Sequence, residues 1–211
     1  MSYRVGDRYW IPDDEHAWLA GTLKELKNSV LEITTDKGVR KFRLTDIKQK
    51  LEPCGSHIDD QVDNLVDLDE LSEGAILHHI RNRFLKKTIY THVGSILVAV
   101  NPFEQLNIYG DRDIRRAVDS SLIYPHVFFT ASTAYQQLSN NAKNQSILIS
   151  GESGAGKTET TKKVLTFLAN VAPDLKSKKV GEPSMEVKIL QSNPLLEALG
   201  NAKTLRNSKL Y

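Results

Sequence analysis

Positions 151–158 of the chain read Gly151-Glu152-Ser153-Gly154-Ala155-Gly156-Lys157-Thr158, and the fold class can be argued outward from them. This octapeptide satisfies every fixed position of the P-loop pattern G-x-x-x-x-G-K-[ST]. The apolar run just before it predicts a β-strand over 145–150. The apolar stripe after it has helical spacing and consists of Val164, Leu165, Leu168 and Val171. Strand, loop and helix in this order predict an α/β fold of the P-loop NTPase type.

The same loop predicts a phosphate-binding site. Glycines at 151, 154 and 156 let the backbone form a nest of inward N–H groups, and the following helix adds the positive end of its dipole. Lys157 is expected to place its ammonium between the β- and γ-phosphates, and Thr158 to supply a hydroxyl ligand to Mg²⁺. The predicted nucleotide-binding residues are Gly151, Glu152, Ser153, Gly154, Ala155, Gly156, Lys157 and Thr158. The structural alternative is a glycine-rich turn that only caps a helix.

A hydrolase built on this loop needs groups that the following residues do not supply. A second carboxylate at the end of an apolar strand must hold the magnesium shell, and another group must place the attacking water. The 53 residues after Thr158 contain one aspartate, Asp174, in a loop-like segment, and one arginine, Arg206. We therefore predict an incomplete ATPase site, assign no catalytic residue, and leave open whether this chain is an enzyme.

The first fifty residues predict a small antiparallel β-barrel. Short strands at 8–11 and 18–23 precede a hairpin, in which Asp36-Lys37-Gly38 joins 30–35 to 39–44. Trp10 and Trp18 are expected in the core of this barrel. Residues 51–70 are rich in carboxylates without the spacing of a calcium loop, so they predict a solvated linker.

Beyond the linker, the periodicity predicts helices and one buried strand. Ser72 is expected to start a helix with apolar positions Ile76, Leu77, Ile80 and Phe84. The strand is predicted over 93–100 and ends at Asn101-Pro102, because proline cannot continue a central strand. A second helix is predicted over 126–143 from the apolar positions Val127, Phe128, Ala131, Ala134, Tyr135 and Leu138.

Composition excludes several classes of protein. The 211 residues are 40% apolar and 26% charged, with a formal net charge of +2, which is typical of a globular protein and predicts no nucleic-acid partner. The longest apolar run, Ile96–Val100, has five residues and predicts no membrane span. The start lacks a secretory pattern, and the single cysteine, Cys54, cannot form an intrachain disulfide. Both features favour the cytoplasm.

Read with their neighbours, these motifs resemble the amino-terminal part of a myosin motor head. The P-loop continues into Glu159-Thr160-Thr161-Lys162-Lys163, as in that family. Residues 89–103 resemble its strand and purine-binding loop, and Pro125-His126-Val127-Phe128 resembles its Pro-His-Ile-Phe. Residues 189–204 resemble the helix that leads toward switch I. The opening fifty residues resemble the SH3-like barrel that precedes many motor cores.

The resemblance implies a nucleotide site and partners. Asn101, Pro102 and Tyr109 would flank the adenine of ATP, bound with Mg²⁺, and Asn207 would be the first switch I residue near it. The implied organisation is an SH3-like barrel at 1–50, an acidic linker at 51–70 and part of the motor domain at 71–211. A longer parent would hydrolyse Mg-ATP to move along actin filaments of the cytoskeleton, and light chains would bind only there.

The last residues depart from the family pattern. Myosins continue from Arg-Asn into Asn-Ser-Ser-Arg-Phe-Gly, whereas this chain reads Arg206-Asn207-Ser208-Lys209-Leu210-Tyr211. We therefore expect an unconventional myosin truncated before switch I, without the switch I serine and arginine, switch II or the actin-binding regions. A sheet without its remaining strands has an open edge, so we also expect aggregation or partial disorder after about Val180.

Two other classes of function stay open from the sequence. The first is a small P-loop kinase or GTP-binding switch, although such proteins place the loop near their start and this chain has no Asn-Lys-x-Asp motif. The second is a non-catalytic interaction module, in which the barrel binds a partner and the P-loop is vestigial. Nucleotide preference and the effect of Lys157→Ala on binding would separate these alternatives.

Overall fold

A computed structural model describes residues 3–46, 51–55, 58, 60–121, 124–172, 187–188 and 191. The chain divides into two units, Met1–Ser95 and Ile96–Tyr211. The organisation predicted from the sequence, with boundaries at 50 and 70, stays a prediction. Asn207 lies outside the described residues, and so does nearly all of the segment after Val180 for which disorder was expected. None of the described helices combines the length and the apolar composition that a membrane-spanning helix requires.

The first unit contains a five-stranded antiparallel sheet. Its strands are β1 (Arg8–Asp13), β2 (Ala17–Lys27), β3 (Val30–Thr35), β4 (Gly38–Arg43) and β5 (Glu52–Pro53), in the order β4-β3-β2-β1-β5. The four strands predicted before residue 50 are confirmed, and the predicted hairpin pairs Thr35 with Gly38. Every second residue of β3 is buried, as expected of a strand with one face on a core.

The predicted barrel is wrong, because the sheet is open. Among the described residues, no ladder joins the edge strands β4 and β5, although closure requires every strand to be paired on both sides. β5 pairs with β1 at two positions only, and its Pro53 has no N–H to extend a ladder. All but one residue of β4 are exposed, so this edge contributes little to the core.

Each face of the sheet has its own cluster of buried side chains. The larger cluster consists of Tyr9, Ile11, Leu19, Leu23, Leu31, Ile33 and Leu51. Side chains alternate along a strand, so Trp10 points to the opposite face, where it is buried with Ile58 and Ala75. Trp10 is buried, but in this second cluster and not in the core of a barrel as predicted, and Trp18 is half-buried against the same cluster.

Helix α1 (Glu73–Leu85) begins where the sequence predicts. Ser72 is its N-cap, and the Ser72 hydroxyl accepts a hydrogen bond of 3.1 Å from the Ala75 N–H. The apolar positions predicted to be its inner face are only half-buried. The buried positions are instead Gly74, Ala75, His79 and Arg83.

The burial of Arg83, which was not among the predicted inner positions of α1, is explained in part by its contacts with the acidic segment 51–70. The Arg83 guanidinium is 2.8 Å from the Asp63 carboxylate and donates to the carbonyl oxygens of Val62 and Tyr90 at 2.9 and 2.8 Å. The described acidic residues of the segment are exposed. Its apolar residues Leu51, Ile58 and Leu65, the last in a 3₁₀ turn (Leu65–Asp67), are buried. The segment therefore packs against its own unit through these three residues, whereas its Val66 is 49% exposed.

The single buried strand predicted over 93–100 is wrong in two respects. The structure has two short strands, β6 (Tyr90–Val93) in the first unit and β7 (Ile96–Ala99) in the second. The chain turns between them at Gly94, which has φ of +60°, a conformation that glycine adopts without strain. Residues of β7 are exposed or half-buried, and Ile96 is 65% exposed. The apolar residues on either side of Gly94 predicted one continuous strand, and the turn at this glycine was not predicted from them.

Between residues 96 and 172, leaving aside 122–123, the second unit contains three helices that pack on one another. They are α2 (Asp111–Val118), α3 (Val127–Asn141) and α4 (Lys157–Val171). The helices predicted over 126–143 and after the P-loop are confirmed, whereas α2 is not predicted. Phe128 of α3 and Phe167 of α4 are fully buried, with ring centroids 5.4 Å apart. The strand predicted over 145–150 is wrong: these residues form no ladder in the described chain, and a strand requires a partner.

Candidate nucleotide-binding site

The P-loop turns at its three glycines. Gly151, Gly154 and Gly156 have φ values of +153°, +83° and +94°, which residues with a Cβ rarely adopt. A Cβ on Gly151 would also lie 3.1 Å from the Cβ of Ala155. The Ala155 N–H donates to the Glu152 carbonyl at 3.2 Å. All three glycines therefore adopt backbone conformations that would be strained for other residues.

Lys157 folds back over the loop. Its Nζ donates to the carbonyl oxygens of Gly151 and Glu152, both at 2.8 Å. Two neutral dipoles thus hold the ammonium against the loop. A phosphate oxygen carries negative charge, whereas a carbonyl oxygen carries only the partial charge of a dipole, so a phosphate in the loop would attract the ammonium more strongly than these carbonyls do.

Helix α4 starts directly behind the loop. Gly156 is its N-cap, in the left-handed conformation. The first N–H groups of a helix have no partner within it and carry the positive end of its dipole. Thr158 lies in this first turn and is exposed, so its hydroxyl is accessible to a cation held by bound phosphates. The described residues include no cluster of three or more His, Cys, Asp or Glu side chains that could hold a metal ion.

Asn101 joins a distant segment to the loop. Its Nδ2 donates to the Gly154 carbonyl at 2.8 Å, and its Oδ1 accepts from the Phe103 N–H at 3.0 Å. Asn101 also packs against Gly156, where an added Cβ would lie 3.7 Å from the Asn101 Cγ. This side chain therefore holds the turn after β7 against the P-loop.

Tyr109 lies among aromatic rings and beside a lysine. Its ring centroid is 5.5 Å from that of His126 and 5.9 Å from that of Phe128. The Lys163 Nζ lies 4.5 Å from the Tyr109 centroid, a geometry that attracts the cation to the π-face. Lys163 is on α4, about 9 Å along the helix axis from Lys157. Tyr109 is therefore tied to the helix that carries the P-loop lysine.

His126 lies behind Tyr109 and is fully buried. Its Nδ1 accepts from the Phe128 N–H at 3.0 Å, and its Nε2 lies 2.9 Å from the Ile108 carbonyl oxygen. Burial lowers the pKa of the imidazole to about 4, against the opposing effects of the Ile108 hydrogen bond and the Asp113 carboxylate. The ring is neutral at pH 7, with its proton on Nε2 and donated to Ile108.

The other titratable group of this region is Tyr124. Its hydroxyl donates to the Asp113 carboxylate at 3.3 Å. Burial and the negative charge of Asp113 raise the pKa of Tyr124 above its ordinary value. Tyr124 also packs edge-on against His126, with centroids 6.0 Å apart.

Among the residues predicted to flank adenine, Asn101 contacts the P-loop and Tyr109 contacts α4. Pro102, which follows Asn101 in the sequence, is half-buried. The structure does not test its predicted role. Sequence reasoning missed the contacts of His126, Lys163 and Phe167. Their partners lie 18, 54 and 39 positions away, at Ile108, Tyr109 and Phe128, so no local pattern indicates them.

Comparison with known proteins identifies the family to which this chain belongs. The family model of the myosin head (motor domain) matches residues 62–209, well over half of the chain. This chain belongs to the myosin head family. Myosin-15 of Arabidopsis thaliana is 37% identical over 217 aligned positions, which cover 98% of this chain and 14% of the relative. Unconventional myosin-Va of Homo sapiens is 41% identical over 208 positions, 95% of this chain and 11% of the relative.

A third myosin shows the same proportions. Myosin-H heavy chain of Dictyostelium discoideum is 38% identical over 213 positions, which cover 95% of this chain and 12% of the relative. The chain thus spans 11–14% of the length of these myosins. The resemblance to myosin heads drawn from the motifs is confirmed, and residues 151–158 lie within the range that the family model matches.

Proposed function

We propose that this myosin head segment binds Mg-ATP through residues 151–158, with Asn101, Pro102 and Tyr109 beside the adenine. The observation that carries the proposal is the position of Lys157, whose ammonium already lies at the loop, 2.8 Å from two of its carbonyl oxygens. Three glycines at positive φ and the N-terminus of α4 add N–H donors to the same loop.

Each part of the nucleotide has a proposed partner. The β- and γ-phosphates would be bound by the loop N–H groups and by Lys157, which would exchange its carbonyl partners for phosphate oxygens. Thr158 would supply one ligand to Mg²⁺, which prefers oxygen and shares its octahedral shell with phosphates and water. Tyr109 would contact the adenine. Asn207 is proposed as a further residue near the nucleotide.

Membership in the family supports a role in an actin-based motor. We propose that a longer protein containing this segment hydrolyses Mg-ATP and moves along actin, using groups beyond those described here. The proposal assigns no catalytic residue to the described segment, so the 211-residue chain by itself is expected to show no actin-activated phosphate release. A robust rate from this chain would contradict that part of the proposal.

The test is isothermal titration of the chain with ATP and with GTP, each with and without Mg²⁺. Lys157→Ala removes two charge-assisted contacts and is expected to weaken ATP binding by about 10- to 100-fold. Lys162→Ala is the matched control, because this lysine is on the same helix but pairs with Glu159 at 2.6 Å. Its affinity for ATP should remain within about twofold of the wild type.

Each alternative has its own outcome in this titration. Tighter binding of GTP than of ATP would favour a guanine-nucleotide switch. No binding of either nucleotide by the wild-type chain would favour an interaction module with a vestigial P-loop. Equal losses in Lys157→Ala and Lys162→Ala would mean that phosphate is held by general positive charge on α4 and not by the loop.

A further inference from the structure

His126 connects the N-terminus of α3 to the segment that contains Tyr109. The Phe128 N–H donates to Nδ1 at 3.0 Å, so this nitrogen carries no proton. The remaining proton is on Nε2, which donates to the Ile108 carbonyl at 2.9 Å. One fully buried ring thus caps a helix and holds the backbone one residue before Tyr109.

This hydrogen bond constrains the ring of Tyr109. The carbonyl of Ile108 belongs to the peptide that leads into Tyr109, so fixing it limits the directions the tyrosine can take. The Tyr109 ring then packs against the His126 ring at 5.5 Å and lies under the Lys163 ammonium at 4.5 Å. His126 thereby contacts both the backbone of Ile108 and the ring of Tyr109.

We propose that His126 is a positioning residue that holds Ile108 and Tyr109 for recognition of the adenine ring. The inference rests on the proposed function, because it concerns the adenine end of that site. His126 itself does not contact the nucleotide in this proposal. Its loss is expected to weaken recognition of the base while the phosphate loop, held by Asn101 and the glycines, keeps its affinity for phosphates.

Two substitutions separate the two hydrogen bonds of His126. In His126→Asn the amide oxygen takes the place of Nδ1 and can still cap α3, since asparagine is a favourable N-cap, but the side chain is too short to reach Ile108. In His126→Gln the amide nitrogen takes the place of Nε2 and can still donate to Ile108, whereas the cap is lost. Only His126→Asn removes the constraint that the proposal requires.

The first measurement needs no nucleotide. Hydrogen exchange of the full 211-residue chain is expected to become faster at 108–110 in His126→Asn, while α3 keeps its protection. In His126→Gln the expected pattern is the reverse, with faster exchange in the first turn of α3. Unchanged exchange at 108–110 in His126→Asn would overturn the positioning role, whether or not the chain binds nucleotide.

The second measurement compares ATP with inorganic tripolyphosphate, both with Mg²⁺, by isothermal titration. His126→Asn is expected to weaken ATP binding by about fivefold, the value of one hydrogen bond, and to leave tripolyphosphate within twofold. His126→Gln should keep the wild-type ratio of the two affinities. Equal weakening of both ligands in His126→Asn would overturn the proposal, because it would indicate a general structural defect.

The affinities for ATP and tripolyphosphate distinguish a failure of the proposed function from a failure of this inference. If the wild-type chain binds tripolyphosphate and ATP equally well, the adenine site of the proposed function is wrong, and the role of His126 in base recognition is overturned with it. If the wild type prefers ATP and His126→Asn keeps that preference, the proposed function stands and only the positioning role is wrong.

Discussion

Gly74 shows how one side chain in the sheet selects one residue in α1. A Cβ at this position would lie 2.5 Å from Cγ and Cδ2 of Trp10, which is 1% exposed. The indole is rigid and enclosed by Ile58 and Ala75, so it cannot move aside cheaply. Glycine is therefore required here by packing and not by backbone conformation.

We predict that Gly74→Ala destabilises the protein. Alanine favours a helix over glycine by about 1 kcal/mol, but overpacking against a rigid ring costs about 1–3 kcal/mol, so the clash is expected to exceed the gain. Urea unfolding followed by tryptophan fluorescence measures the difference. Gly55→Ala is the control, because its nearest contact would be an ordinary 3.7 Å from Asp69. Equal or greater stability of Gly74→Ala would contradict the packing argument.

His126 gives the second prediction at this scale, a dependence of stability on pH. The pKa of His126 is lowered to about 4 by burial, whereas an unfolded histidine has a pKa of about 6.5. Above pH 6.5 both states are neutral and the residue has no effect. As the pH falls from 6.5 to 4, His126 binds a proton in the unfolded state but not in the folded state. The free energy of unfolding therefore falls by at most about 3 kcal/mol.

Unfolding midpoints in urea between pH 7 and pH 4 test this. His126→Asn removes the titrating group and is expected to give a shallower loss of stability over the same window. Parallel curves for the wild type and His126→Asn would show that other groups cause the acid sensitivity.

At the scale of elements, the turn after β7 and the P-loop are joined by Asn101. We predict that Asn101→Ala weakens ATP binding by about fivefold, because the Gly154 carbonyl loses its 2.8 Å partner and the loop loses one constraint. Asn107→Ala in the same region is the control, since this residue is exposed. Isothermal titration with Mg-ATP measures both. Equal affinities for the two variants would contradict the link.

Elements were predicted well where their signal is local. The strands at 8–13, 17–27, 30–35 and 38–43 follow from alternation and turn residues, and α1, α3 and α4 follow from 3.6-residue periodicity. α2 was missed because eight residues with two buried positions, Ile114 and Ala117, carry a weak pattern. The segment 145–150 has the composition of a strand, but strand formation depends on a partner elsewhere in the chain.

At the scale of the whole molecule, apolar residues near the P-loop differ sharply in burial. Phe167 is fully buried against Phe128, whereas Leu148 is 92% exposed. We predict that Phe167→Ala lowers the free energy of unfolding by about 3–5 kcal/mol, and that Leu148→Ala changes it by less than about 0.5 kcal/mol. Urea unfolding measures both. A similar loss in the two variants would mean that Leu148 is covered in solution.

The P-loop motif could be recognised in the sequence because its backbone conformations depend on residues that are close together in the chain. Glycine spacing, one lysine and the start of a helix lie within eight residues, and the backbone conformations follow from the residue types at those positions. The family followed from the same motifs and is confirmed by the match over 62–209. Hairpin chemistry and helical periodicity are local in the same sense.

Other features depend on residues that are far apart in the chain. Whether the first sheet closes, which side of α1 is buried, and how His126, Lys163 and Asn101 are paired all depend on contacts across 18 or more positions. Such pairings are chosen by packing, and composition or period cannot rank one distant partner above another. The glycine conformations of the P-loop were therefore predictable, whereas the contacts around Tyr109 became visible only in the folded chain.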